Sequence, residues 1–194
     1  MAQPCFTDKL STAINSGCQN QTVGVEKRAI VIPRSLVNNA AIAYDSGTVV
    51  INTFGLTTPG TGGEYVTDYG EMPFKATKVE GEKGEYKMKF LSTFGFIIMG
   101  NSPDKVNQVM QLQNDEHYVI LQNISYSAAE KNKYMLLAPT KGMTTRKASF
   151  SMENQDAYGW AVEMIEEGAL LPVSFIWASS GEAATDALIA LLVA

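Results

Sequence analysis

The chain ends on Ala187-Leu188-Ile189-Ala190-Leu191-Leu192-Val193-Ala194, a run with no polar side chain. Each Å² of such a surface gains about 25 cal/mol on leaving water, so the run must enter the chain's own core or be covered by another molecule. It closes a stretch, Ala148 to Ala194, that has no Lys or Arg and carries seven acids: Glu153, Asp156, Glu163, Glu166, Glu167, Glu182 and Asp186. Ser180-Gly181-Glu182 can cap a helix over Ala183 to Val193, and that helix is apolar around most of its circumference, which implies burial. The acids from Glu153 to Glu167 lie on and around a strand whose other face is Tyr158, Trp160 and Val162. They are expected on the wet side of a sheet.

A length of 194 residues fits one domain with arms and suffices for a core without disulfides or metals. Hydrophobic residues at 45% and charged residues at 18% are a globular composition. The net charge of −5 argues against a nucleic-acid groove, which needs clustered Lys and Arg. It does not argue against a surface that DNA slides past without sticking, because like charges repel. The N-terminus shows no basic region followed by an apolar one, so no secretory signal is read. The terminal apolar run is far shorter than the ~20 residues of a membrane helix. Synthesis in a cytoplasm, with no membrane contact, is expected. Cys5 and Cys18 both fall in the N-terminal arm and read as two reduced thiols, with a disulfide or half of a metal site as the alternative; the single histidine, His117, cannot complete a zinc site with them unless a carboxylate or a partner chain joins.

Three segments are predicted: an arm over 1–26, a β domain over 27–178 with a helix at 102–114, and the apolar segment 179–194. A helical turn is expected from Thr7 to Ile14. Arg28 to Ile32 forms a strand stopped by Pro33. A strand from Ala40 turns at Asp45-Ser46-Gly47 into Thr48 to Phe54. Thr57-Thr58-Pro59-Gly60-Thr61-Gly62-Gly63 is a loop with neither the Lys-Ser/Thr ending of a phosphate loop nor a dinucleotide fingerprint. Phe74 to Phe90 is a hairpin turning at Glu80 to Gly84, with Tyr86, Met88 and Phe90 alternating against Glu85, Lys87 and Lys89. Phe94 to Met99 is a buried strand. Ser102 as N-cap, Pro103 and Asp104 open a helix to Asn114, with an apolar stripe of Val106, Val109, Met110 and Gln113. Strands follow at His117 to Tyr126, Tyr134 to Ala138, Lys147 to Met152 and Tyr158 to Met164. Leu171 to Trp177 is placed at an edge by Pro172. The fold class is mainly β (α+β): an antiparallel β-sandwich or barrel with one packed helix, an N-terminal arm and a short C-terminal helix.

No catalytic, metal-binding or cofactor-binding residue emerges, and an enzyme is not expected. His117 has no nucleophile elbow to serve and reads as a surface or strand-start residue. Cys5 and Cys18 sit in an arm, a poor place for a preorganised nucleophile. Glu163, Glu166 and Glu167 could do acid–base work or hold a cation, but neighbouring strand residues face opposite ways, so the trio reads as a solvated edge. Tyr158 and Trp160 could stack on a sugar or base; a core or interface pair is the plainer reading.

The hairpin Phe74 to Phe90, the helix Ser102 to Asn114 and the late hairpin Lys147 to Met164, with Met152-Glu153-Asn154-Gln155-Asp156-Ala157-Tyr158-Gly159-Trp160, give an order of elements that resembles the tail-tube fold of long-tailed bacteriophages and related injection machines. The pattern covers residues 28 to 177. The resemblance implies two packed antiparallel sheets carrying one helix. It implies a subunit that joins itself into rings, hexameric in a tail tube, which stack into a conduit for DNA ejection. The partners would be other copies, other virion proteins and passing DNA that is not bound specifically, in a virion assembled in the host cytoplasm. No cofactor is implied. Subunit contacts would fall on Thr57, Pro59 and Gly62, on Glu82 and Lys83 of the hairpin, on the N-terminal arm, and on Leu188, Ile189, Leu191 and Leu192. A head-decoration, connector or ring protein of the virion is the structural alternative. A carbohydrate- or ligand-binding sandwich using Tyr158, Trp160 and the loop 57–63 is the binding alternative.

Overall fold

Two runs of the sequence, Ala29-Ile30-Val31-Ile32 and Tyr118-Val119-Ile120-Leu121, are apolar without alternation, and both are buried on both faces. They belong to β1 (Val25–Pro33) and β7 (His117–Asn123), which are paired antiparallel inside a large sheet. The computed structural model describes residues 24–58, 61–68, 73–84, 88–154 and 157–193. The other strands are β2 (Ala43–Tyr44), β3 (Val50–Thr53), β4 (Glu64–Thr67), β5 (Lys78–Lys83), β6 (Met88–Met99), β8 (Tyr134–Leu137), β9 (Thr144–Asn154), β10 (Ala157–Ala169) and β11 (Val173–Ile176). Seven form a sheet ordered β2-β3-β11-β8-β7-β1-β4, and four form a second sheet ordered β5-β6-β10-β9. Every pairing is antiparallel except β3 with β11. The helices are α1 (Pro103–Asn114) and α2 (Glu182–Leu191). The expected mainly β sandwich is therefore the observed class.

The large sheet is a middle layer. On one face Ala29, Val31, Val119 and Leu121 meet Phe94 and Phe96 of β6, Val162 and Met164 of β10, and Val109 of α1. The Phe94 ring packs at 5.2 Å from both Phe74 and Phe96. On the other face Ile30, Ile32, Tyr118, Ile120, Leu136 and Ile176 meet Ile189 of α2, Leu192 just beyond it, and Val37, Ile42 and Phe54. The terminal segment thus fills a second core rather than standing apart from the β domain.

Helix α1 starts as the sequence predicts. The Ser102 hydroxyl accepts from the Lys105 N–H at 3.4 Å, with Pro103 and Asp104 in the first turn. Its buried line is Val109 with Leu112, while Val106 and Met110 are exposed. The expected stripe is therefore rotated. The helix seats on β9, where the Thr145 hydroxyl donates to the Leu112 carbonyl at 2.7 Å.

Other local expectations are also corrected. Glu80, Gly81 and Glu82 are not a turn: β5 continues to Lys83, opposite Leu91, Phe90 and Lys89. A Cβ on Gly81 would lie 2.8 Å from Met88 Cε and 3.0 Å from a Phe90 ring carbon, so this glycine makes room for two cross-strand side chains. Met88 is exposed like Lys89, so the clean alternation expected for the outer hairpin is absent at its described end. β11 is not an edge. Pro172 precedes it, leaving its ladder donors intact between β3 and β8. β4 had no counterpart among the predicted strands.

Candidate functional site

The tail residues divide by face. Leu192 is 1% exposed and Ile189 is also buried, Leu188 is half-buried against the same core, and Leu191 is 66% exposed. Ile189 and Leu192 are therefore not open to a neighbouring subunit, which corrects the expectation for those two contacts. The loop expected at an inter-ring contact meets this same tail. Gly63 N–H donates to the Leu192 carbonyl at 2.7 Å, and a Cβ on Gly62 would lie 1.9 Å from that oxygen. The structure thus unites Gly62 and Leu192. Thr57 is exposed, with its N–H on the Leu36 carbonyl at 2.8 Å. Glu82 and Lys83 are exposed on β5. Pro59, Cys5, Cys18 and the turn Thr7 to Ile14 lie outside the described residues.

Two of the seven late acids anchor α2 through a cation. Lys133, 6% exposed, places Nζ at 2.8 Å from carboxylate oxygens of both Glu182 and Asp186. Tyr126 donates to Glu182 at 2.7 Å and Tyr134 to Asp186 at 2.9 Å. The ammonium also lies 4.9 Å from the Tyr126 ring centroid and 5.6 Å from that of Tyr134. Burial works against the Lys133 charge, but the hydrogen bonds to Asp186 and Glu182 prevail and raise its pKa. Burial and the Asp186 contact push the Tyr134 phenol up, and the Lys133 contact pulls the Glu182 carboxyl down.

The glutamate trio separates as strand periodicity requires, but one member faces inward. Glu163 is half-exposed, 3.9 Å from Arg146, and Glu167 is exposed. Glu166 shares its face with Val162 and Met164 and is 3% exposed, which overturns the solvated-edge expectation for it. Its Oε1 accepts from the Lys141 N–H at 2.7 Å, while Oε2 is buried with no partner. Burial pushes its pKa up to about 7; the Lys141 N–H and charge oppose the shift, the Glu116 carboxylate adds to it, and Arg34 opposes it.

His117 starts β7 as expected, yet it is buried rather than superficial. Its backbone exchanges hydrogen bonds with Met143 at 2.8 and 2.7 Å, and its Nδ1 is buried without a partner. Burial pushes its pKa down, partly offset by Asp115, so the ring is neutral near pH 7. Nearby, Arg34 pairs with Glu116 and Asp115 accepts from Ser35.

A further surface feature is an aromatic corner on the small sheet. Phe150 lies across from Trp160, their ring centroids 5.4 Å apart, and Phe150 packs edge-on to Tyr158 at 5.4 Å. Trp160 Nε1 donates to Asn101 at 3.3 Å. Phe150 and Tyr158 are exposed and Met152 is 74% exposed, while Met99, opposite Gly159, is exposed on the other face of the sheet. Val106 and Met110 are exposed on α1, which packs on β9. The pair Tyr158 and Trp160 was legible in the sequence. Phe150 and Met152 were visible only as one face of an alternating strand, because the register that brings Phe150 to Trp160 is a property of the sheet.

Among the described residues no three His, Cys, Asp or Glu side chains are grouped to hold a metal, and no helix is long and apolar enough to cross a membrane. Among the described residues the chain presents a two-sheet sandwich with an aromatic and methionine corner at the outermost strand of the small sheet. No family model, curated protein or solved structure matches it.

Proposed function

We propose that this chain is a virion structural protein, a tail-tube subunit that assembles with itself into stacked rings forming a conduit for DNA ejection. The observation that carries the reading is the exposed corner Phe150, Met152 and Tyr158 on the small sheet, at its outermost described strand, β9. Exposed apolar side chains grouped at one place on the surface favour association over a lone chain in water. The two-sheet sandwich with α1 packed on it agrees with the tail-tube resemblance, and the net charge of −5 suits a wall past which DNA slides. The mechanism is then mechanical, with contacts between copies in place of a catalytic group.

Electron microscopy of the purified chain tests this reading. Rings or tubes are expected. Met152→Asp, at an exposed position, should raise the concentration needed for assembly at least about tenfold while leaving the circular dichroism unchanged. Single particles of one chain at every concentration would refute the reading. Unaltered assembly of Met152→Asp would remove the corner from it.

A further inference from the structure

The connection from Ala138 to Met143 carries the chain from β8 in the large sheet to β9 in the small one. It is closely constrained. Ala138 is buried at φ +53°, a conformation that disfavours a Cβ, and Gly142 has φ +87° with its backbone against His117. The Thr140 hydroxyl is buried without a partner. Beneath the connection lies Glu166, fixed by a single hydrogen bond from Lys141 N–H and with its second oxygen unsatisfied. A neutral carboxyl in this position leaves one uncharged O–H unpaired. A carboxylate leaves a charge unpaired, which costs far more in an apolar setting.

We propose that Glu166 is a pH-sensitive latch on the Ala138–Met143 connection: as the neutral acid it stays closed under the connection, and as the carboxylate it admits water and frees it. Ionisation moves the proton to solvent and leaves the carboxylate with the Lys141 N–H as its one hydrogen bond among the described residues. Water satisfies Oε2 by lifting residues 139 to 142. Thr144 opens β9, so the latch governs the order at the start of the small sheet's outer strand.

The ionisable groups acting on Glu166 come from several elements. Lys141 is on the connection itself, and Arg34 and Glu116 form the ion pair before β7. Tyr118 of β7 and Tyr44 of β2 also feel the Glu166 charge, and both phenols are raised chiefly by burial, so they stay neutral through the relevant range. Ser92 lies directly across on β6 and does not titrate. His117 reaches the far end of the connection through Met143 and is the rival titrating group.

Amide hydrogen exchange of the full chain from pH 5.5 to 8.5, corrected for intrinsic exchange, tests the latch. Protection at Lys141 and Gly142 should fall about tenfold or more across that range. Glu166→Gln should abolish the step, and His117→Asn should keep it. A carbon-13 titration of the Glu166 carboxyl in the unaltered chain gives an answer even if a variant fails to fold. Its midpoint should lie near pH 7. A midpoint in the ordinary carboxylate range, or a step that persists in Glu166→Gln, would overturn the latch.

Discussion

Leu192→Ala is expected to lower the unfolding free energy by about 2–5 kcal/mol, whereas Leu191→Ala stays within about 0.5 kcal/mol of the unaltered chain. These neighbours differ by one residue and by a face. Leu192 is 1% exposed and lies in the outer core with Ile30, Ile32 and Ile120, while Leu191 is 66% exposed. Removing three carbons at Leu192 forfeits their transfer energy and leaves a cavity. That cavity closes poorly, because the Leu192 carbonyl is held by Gly63 N–H at 2.7 Å and the helix before it by the Lys133 contacts to Glu182 and Asp186. Denaturant unfolding followed by circular dichroism measures both variants. Equal, small effects at the two positions would mean that the tail is not part of the core.

The second large effect is electrostatic. The folded-state pKa of Glu166 is raised from 4.5 to about 7, so the unfolded chain releases this proton first. The contribution of the neutral acid is fully present below the unfolded value and is lost as pH rises through about 7. At about 1.36 kcal/mol per unit, the loss is about 2–4 kcal/mol. His117 works in the opposite sense. Its lowered pKa makes the folded state shed a proton that the unfolded state retains, so its contribution is lost as pH falls below its ordinary value. The observed pH slope is the net of the two, and the difference between Glu166→Gln and the unaltered chain isolates the carboxyl. That difference should be near zero at pH 4.5 and reach about 2–4 kcal/mol in favour of the variant at pH 8. A constant difference across the range, measured by urea titration, would contradict the buried, neutral assignment.

What the sequence made legible was governed by local chemistry. Ser102-Pro103-Asp104 announces a helix start because the cap, the ring and the dipole act within one turn. Asp45-Ser46-Gly47 announces a turn because Gly47 adopts φ +71° without strain. Period two placed Val162 and Met164 on one face. The same period places Glu166 there too, but a carboxyl is an unexpected occupant of that face, and only the packing of the 138–143 connection over it makes the position clear. Pro172 suggested an edge strand because its nitrogen has no N–H to donate, but the residue that follows a proline can still enter a ladder, and sequence alone does not mark where the ladder begins. The aromatic corner depends on the register between β9 and β10, and the union of Gly62 with Leu192 depends on how two distant segments meet across the large sheet. The terminal apolar run left two outcomes open. Its buried face answers to the chain's own core, and Leu191 is what remains exposed at a described leucine of that run.

The most direct test of the assembly account is the mass of the full chain in solution by light scattering across a range of concentrations. The account predicts species many chains in size that grow with concentration and are weakened by Met152→Asp. A mass of one chain at every concentration would contradict it.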